Sequence, residues 1–120
     1  MANSELVKRF LGASERRYKD VDVPLIGPVR IRSLSNADIR AWREAIRGKS
    51  GSVEYATELL VAASVVDENN LRVFTDEDAR SQLFADIDSA AFEVLGQMCR
   101  QHSNLDADPD WKAVVSDAKN

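Results

Sequence analysis

A single cysteine and a single histidine in 120 residues leave this chain short of the side chains that most covalent and metal chemistry draws on. Cys99 alone can form no internal disulfide and can build no metal site by itself, which fits a reducing compartment. His102 falls near the end of a predicted helix, where a partly positive imidazole suits the negative end of the helix dipole. Cys99 lies one turn earlier, but a cysteine–histidine nucleophile needs an orienting group and an oxyanion site, and the sequence offers neither. Cys99 therefore reads as a small core residue. Glycine-rich phosphate loops are absent. So is any apolar run near the roughly 20 residues that cross a bilayer. Met1-Ala2-Asn3-Ser4-Glu5 lacks the basic-then-apolar layout of a signal peptide. These absences lead us to expect a cytoplasmic protein with no membrane partner, no cofactor, no metal and no catalytic residues.

What is present fits one compact unit. With 44% hydrophobic and 30% charged residues the chain can bury one core. Its net charge of −4 argues against a general nucleic-acid binder. The charge is unevenly spread. Over residues 1–19, Lys8, Arg9, Arg16, Arg17 and Lys19 outweigh Glu5 and Glu15, whereas over 67–88 seven acids face only Arg72 and Arg80. Such runs are for the most part solvated surface, since exposed ion pairs contribute little.

The patterning predicts a mainly α protein with a small N-terminal β-hairpin, an α+β fold of about four helices around one core. Residues 1–18 form an arm, free to move, whose Leu6, Val7, Phe10 and Leu11 suit a short helix. Residues 19–105 form the single globular domain. Within it Val21 and Val23, then Val29 and Ile31, alternate with polar residues as half-buried strands do, and Pro24, Gly27 and Pro28 mark the turn between them. The first domain helix starts behind Ser35 with a Leu34–Ile39 staple, carries the stripe Ile39, Trp42, Ile46 and stops at Gly48. A second runs from about Val53 to Val66, burying Ala56, Leu59, Leu60, Ala63 and Val66. Leu71, Val73 and Phe74 form a short extended segment before Thr75 caps a third helix that turns Ala79, Leu83 and Phe84 inward. A fourth starts at Asp88 with an Ile87–Phe92 staple and ends near His102, apolar around most of its circumference. Residues 106–120 are a polar tail in which Trp111, Val114 and Val115 make a short amphipathic anchor.

Two constellations invite chemistry. Asp67, Asn69 and Asp78 sit at the first, third and twelfth places of a helix–loop–helix calcium loop, but Arg72 stands where the tight turn requires glycine, and the twelfth residue is not glutamate. A turn followed by a charged helix start explains the same residues. Trp42 reads as core, whereas Trp111, in a polar tail, can dock on its own domain or enter a partner's groove.

The order of short motifs resembles that of phage tail assembly chaperones. Val65, Val66, Asp67 and Glu68, a short apolar stretch, the pair Phe74-Thr75 and the acids Glu77 and Asp78 follow one another as in that family. The Val21-x-Val23-Pro24 strand and the segment Val29 to Ser35 extend the likeness to about residues 21–105. Asn70 departs from it, standing where the family often has glycine, although asparagine tolerates the same left-handed backbone. The resemblance implies a non-enzymatic binder of the long, aggregation-prone tape measure protein that recruits major tail tube subunits in the bacterial host cytoplasm and is absent from the mature virion. Self-association is a further expected contact. Candidate partner-binding residues are Trp111, Val114 and Val115 on the tail, Arg30 and Arg32 on the hairpin, and Phe92 and Met98 on the last helix. Ala118-Lys119-Asn120 can be encoded by a slippery run, and genes of this family often make a longer product by programmed frameshifting. A small head–tail connector or tail-completion protein is the alternative. A transcriptional regulator would have to use Asp38 to Arg47 as its recognition helix.

Overall fold

The structure, a computed structural model, describes residues 2–47 and 53–105. The Gly48–Ser52 connection, the tail residues Trp111, Val114 and Val115, and the Ala118-Lys119-Asn120 end lie outside the described residues. In chain order come α1 (Ala2–Ala13), β1 (Tyr18–Val23), β2 (Gly27–Arg32), α2 (Asn36–Arg47), α3 (Val53–Ser64), β3 (Val65–Val66), α4 (Glu77–Asp86) and α5 (Ser89–His102). The fold is α+β and mainly α, with five helices among the described residues where about four were expected. The additional one is the arm, which forms a regular helix.

The expected hairpin forms, with Val21 opposite Val29 and Lys19 opposite Ile31. Alternation works as predicted: Val21, Val23 and Ile31 enter the core while Asp20 and Asp22 stay outside. The turn is tight. The Ile26 N–H donates to the Val23 carbonyl at 3.1 Å, placing Pro24 and Leu25 at its two central positions. Leu25 adopts φ +70°, as the second central residue of a type II turn must, and Gly27 follows at φ +94°.

Helix starts follow local chemistry. The Ser35 hydroxyl accepts the Asp38 N–H while the Asp38 carboxylate accepts the Ser35 N–H, a reciprocal capping box. Asp88 caps α5 in the same sense, accepting the Ala91 N–H at 3.0 Å. At α4 the cap is Asp76 rather than Thr75, with its carboxylate accepting the Ala79 N–H at 3.1 Å. An ionised carboxylate faces the positive helix end better than a hydroxyl does, so the start slides one residue.

Two further expectations are corrected. The second predicted helix ends at Ser64, and Val65 and Val66 pair as β3 with Ile31 and Arg30. Two adjacent β-branched residues with an open strand edge beside them gain more from the sheet than from another half-turn of helix. The following segment bridges back at Arg72 opposite Val66, with the Leu71 carbonyl accepting the Asp67 N–H at 2.9 Å and the Val73 N–H donating to the Val65 carbonyl at 3.5 Å, while the Leu71 and Val73 side chains stay exposed. On α4, Arg80 and Phe84 face inward while Ala79 and Leu83 are exposed, Leu83 at 49%. The rotation is set by Phe84, which packs between Phe74 and Phe92 with ring centroids 5.0 Å from each.

The core is built on α3 and α5. Ala56, Leu60 and Val61 of α3, with Leu95 and Cys99 of α5, join Trp42, Ile46 and the inward strand residues in one cluster. The indole N–H of Trp42 donates to the Ala56 carbonyl at 2.9 Å, so a large ring enters the core without an orphaned donor. Close approach of α3 and α5 depends on Gly96, where an added Cβ would come within 2.6 Å of Thr57 Cγ2. Arginines from elsewhere close the helix ends. Arg32 donates to the Ala63 carbonyl at 2.8 Å and Arg72 to the Ala62 carbonyl at 3.2 Å, both in the last turn of α3.

Candidate functional site

Cys99 and His102 are both engaged in the fold. Cys99 is buried, and burial pushes its thiol up to about 12, although Ser64 and Arg100 act in the opposite direction. A thiol held there stays protonated at neutral pH and is a poor nucleophile. The His102 ring Nε2 sits 2.9 Å from the Arg17 carbonyl, and the Arg17 guanidinium donates to the His102 carbonyl at 2.8 Å. This reciprocal latch ties the C-terminal end of α5 to the entry of β1. The Asp67 carboxylate is likewise used locally, accepting the N–H groups of Asn69 and Leu71 at 2.8 and 3.1 Å. It shapes a hairpin turn in which Asn70 takes the left-handed conformation at φ +65°.

Among the described residues, two surfaces combine apolar side chains with bordering charge. The first is one side of α1. Successive residues turn by about 100°, which brings Leu6, Val7, Phe10 and Leu11 onto one stripe. All four are exposed, Phe10 at 70% and Leu11 at 62%. Lys8 and Arg9 flank the stripe on its two sides, and Glu5, on the opposite side, lies 3.8 Å from Lys8 in a solvent-exposed pair.

The second is a groove of about 730 Å³ between α3, the α4–α5 junction and α5. Val53, Phe84, Ile87 and Phe92 provide its apolar lining, and Glu54, Glu58 and Glu93 its acids, against Arg100 at one end. Burial pushes the Glu58 carboxyl up, countered by the positive charge of Arg80. Arg80 is itself buried, and its Nε has no hydrogen-bond partner among the described residues.

The candidate partner-binding residues do not converge. Phe92 is on the groove wall. Met98, six residues on and so about 240° around the helix, packs half-buried against the core instead. Arg30 bonds to Asp20 at 2.9 Å and reaches the Glu68 carbonyl and Asn70 side chain at 3.3 and 3.2 Å, fastening the 67–71 turn to the hairpin. The Asp20 hydrogen bond also raises the Arg30 guanidinium above its ordinary range. Arg32 is the helix cap described above, and burial lowers its guanidinium. Sequence reading missed Glu58 and Glu93 because each is an ordinary helix-surface acid until the third wall, around Ile87, closes the groove. The α1 stripe was visible as an apolar cluster and not recognised as an uncovered one.

Comparison of the chain with protein-family models, curated proteins and solved structures found no match in any of the three.

Proposed function

We propose that the protein is a phage tail assembly chaperone, a non-enzymatic binder that holds the tape measure protein and helps bring major tail tube subunits to it during tail morphogenesis. The observation that supports this reading best is the uncovered stripe Leu6, Val7, Phe10 and Leu11 on α1. A chaperone for a long helical client needs an apolar face it can lend and withdraw, and an amphipathic helix binds another helix by just such i, i+3, i+4 anchors. The motif order over residues 21–105 adds to it. In this reading the protein works in the host cytoplasm and leaves before the virion is complete.

The test is genetic context combined with particle composition. The account expects the parent DNA to encode, close by, a very long open frame with helical heptad character, and mass spectrometry of purified virions to find tube protein and tape measure without this chain. Stoichiometric recovery of the chain from virions would sink the chaperone reading and favour a head–tail connector.

A further inference from the structure

The two exposed apolar surfaces are complementary. On α1 the stripe is flanked by the cations Lys8 and Arg9, with its acid, Glu5, on the far side; in the groove the apolar lining is bordered by Glu54, Glu58 and Glu93, with the one cation of the lining, Arg100, at one end. The lengths agree as well. Twelve residues of α1 span about 18 Å, and the α5 wall from Ser89 to Arg100 runs about 17 Å. An apolar helix face bordered by positive charge therefore meets an apolar groove of its own length bordered by negative charge.

We propose that α1 of one copy seats in the groove of a second copy and receives that copy's α1 in its own groove, giving a closed dimer with exchanged arms. Leu6 and Phe10, one turn apart, supply apolar contacts for Phe84, Ile87 and Phe92, while Lys8 and Arg9 lie toward Glu58 and Glu93. The arm is anchored at its base: Arg17 is latched to His102 of α5, and Arg16 bonds the Ser33 carbonyl and Asp38. Only Ser14 and Glu15 separate α1 from that anchor, and the apolar stripe of α1 is exposed, so α1 does not lie in its own chain's groove in this structure. Reciprocity follows from area. One short helix in one groove sits at the low end of stable interfaces, which bury roughly 1,200 Å² or more, and exchange doubles the contact under two-fold symmetry. This inference does not depend on the role in tail assembly, because it concerns the chain alone.

A charge swap tests it. Sedimentation of the full chain over a range of concentrations should give twice the 13.3 kDa chain mass, weakening as salt rises. The arm variant K8E/R9E and the groove variant E58K/E93K should each associate at least tenfold more weakly than wild type. An equimolar mixture of the two should recover the dimer, since the acidic arm of K8E/R9E fits the basic groove of E58K/E93K, and the unchanged basic arm of the latter fits the unchanged acidic groove of the former. Circular dichroism verifies folding; if E58K/E93K fails to fold, E93K alone replaces it, its position being exposed. A wild-type monomer throughout, undiminished association in both variants, no recovery on mixing, or open assemblies larger than two copies would each overturn the exchange.

Discussion

Leu25 shows how a single residue can carry local strain. It holds φ +70° at the hairpin tip with 83% of its surface exposed, a conformation that costs a residue with a Cβ roughly 1–2 kcal/mol. Leu25→Asn should stabilise the protein by about 0.5–1 kcal/mol in urea unfolding, because asparagine tolerates the left-handed region and leaves no core contact behind. Asp38 offers a second test at this scale. Burial pushes its carboxyl up, but the Arg16 guanidinium at 2.5 Å and the hydrogen bonds from Ser35 outweigh it and hold the group at about 2. The folded value lies below the unfolded one of about 3.9, so the contribution is complete above pH 4 and is lost as the pH falls toward 2. With solvent screening of a partly exposed pair it amounts to about 1 kcal/mol. Asp38→Asn should remove that part of the acid dependence while costing stability at pH 7; an unchanged acid limb in stability-versus-pH curves would contradict the assignment. Residues of this kind were only half legible. Ser35 and Asp38 announce a capping box by spacing alone, whereas Arg16, 22 residues earlier in the chain, finds Asp38 only after the strands have folded.

At the scale of elements, the contact between α3 and α5 rests on Gly96 against Thr57. The Thr57 hydroxyl donates to the Val53 carbonyl at 2.9 Å, which fixes the side chain and leaves its methyl pointing at Gly96. Gly96→Ala should therefore destabilise by about 1–3 kcal/mol despite the better helix propensity of alanine, and adding Thr57→Ser, which removes the methyl, should restore most of the loss in thermal unfolding. Equal loss in the single and double variants would place the strain elsewhere. The starts of α2 and α5 and the stripe through Trp42 could be read from sequence because caps and periodicity are local. The strand character of Val65-Val66, the phase of α4 and the arginine caps on α3 could not. Each depends on a partner outside its own element: Ile31 and Arg30 for β3, Phe92 of the next helix for Phe84, and Arg32 for Ala63. Charge on Arg30 and Arg32 looked like available surface and is used to hold the sheet to its neighbours.

The whole molecule is a small domain whose only cysteine and histidine serve the fold and whose α1 stripe and acid-bordered groove are open to solvent. Under the proposed function and the proposed arm exchange, the stripe serves two partners in turn, a second copy in the resting protein and the client in the assembly complex. Its apolar spacing was plain in the sequence; that none of the described residues covers it was not, since exposure belongs to the assembled fold. The most direct measurement is co-expression of the chain with its tape measure protein, followed by affinity capture and recovery of the soluble complex. The account predicts that wild type keeps the tape measure soluble and retains it. Phe10→Asp, which is on the exposed face and should leave circular dichroism unchanged, is predicted to lose at least tenfold of that retention. A tape measure that stays insoluble with the wild type, or is retained equally by Phe10→Asp, would contradict the assignment of α1 as the client-binding surface.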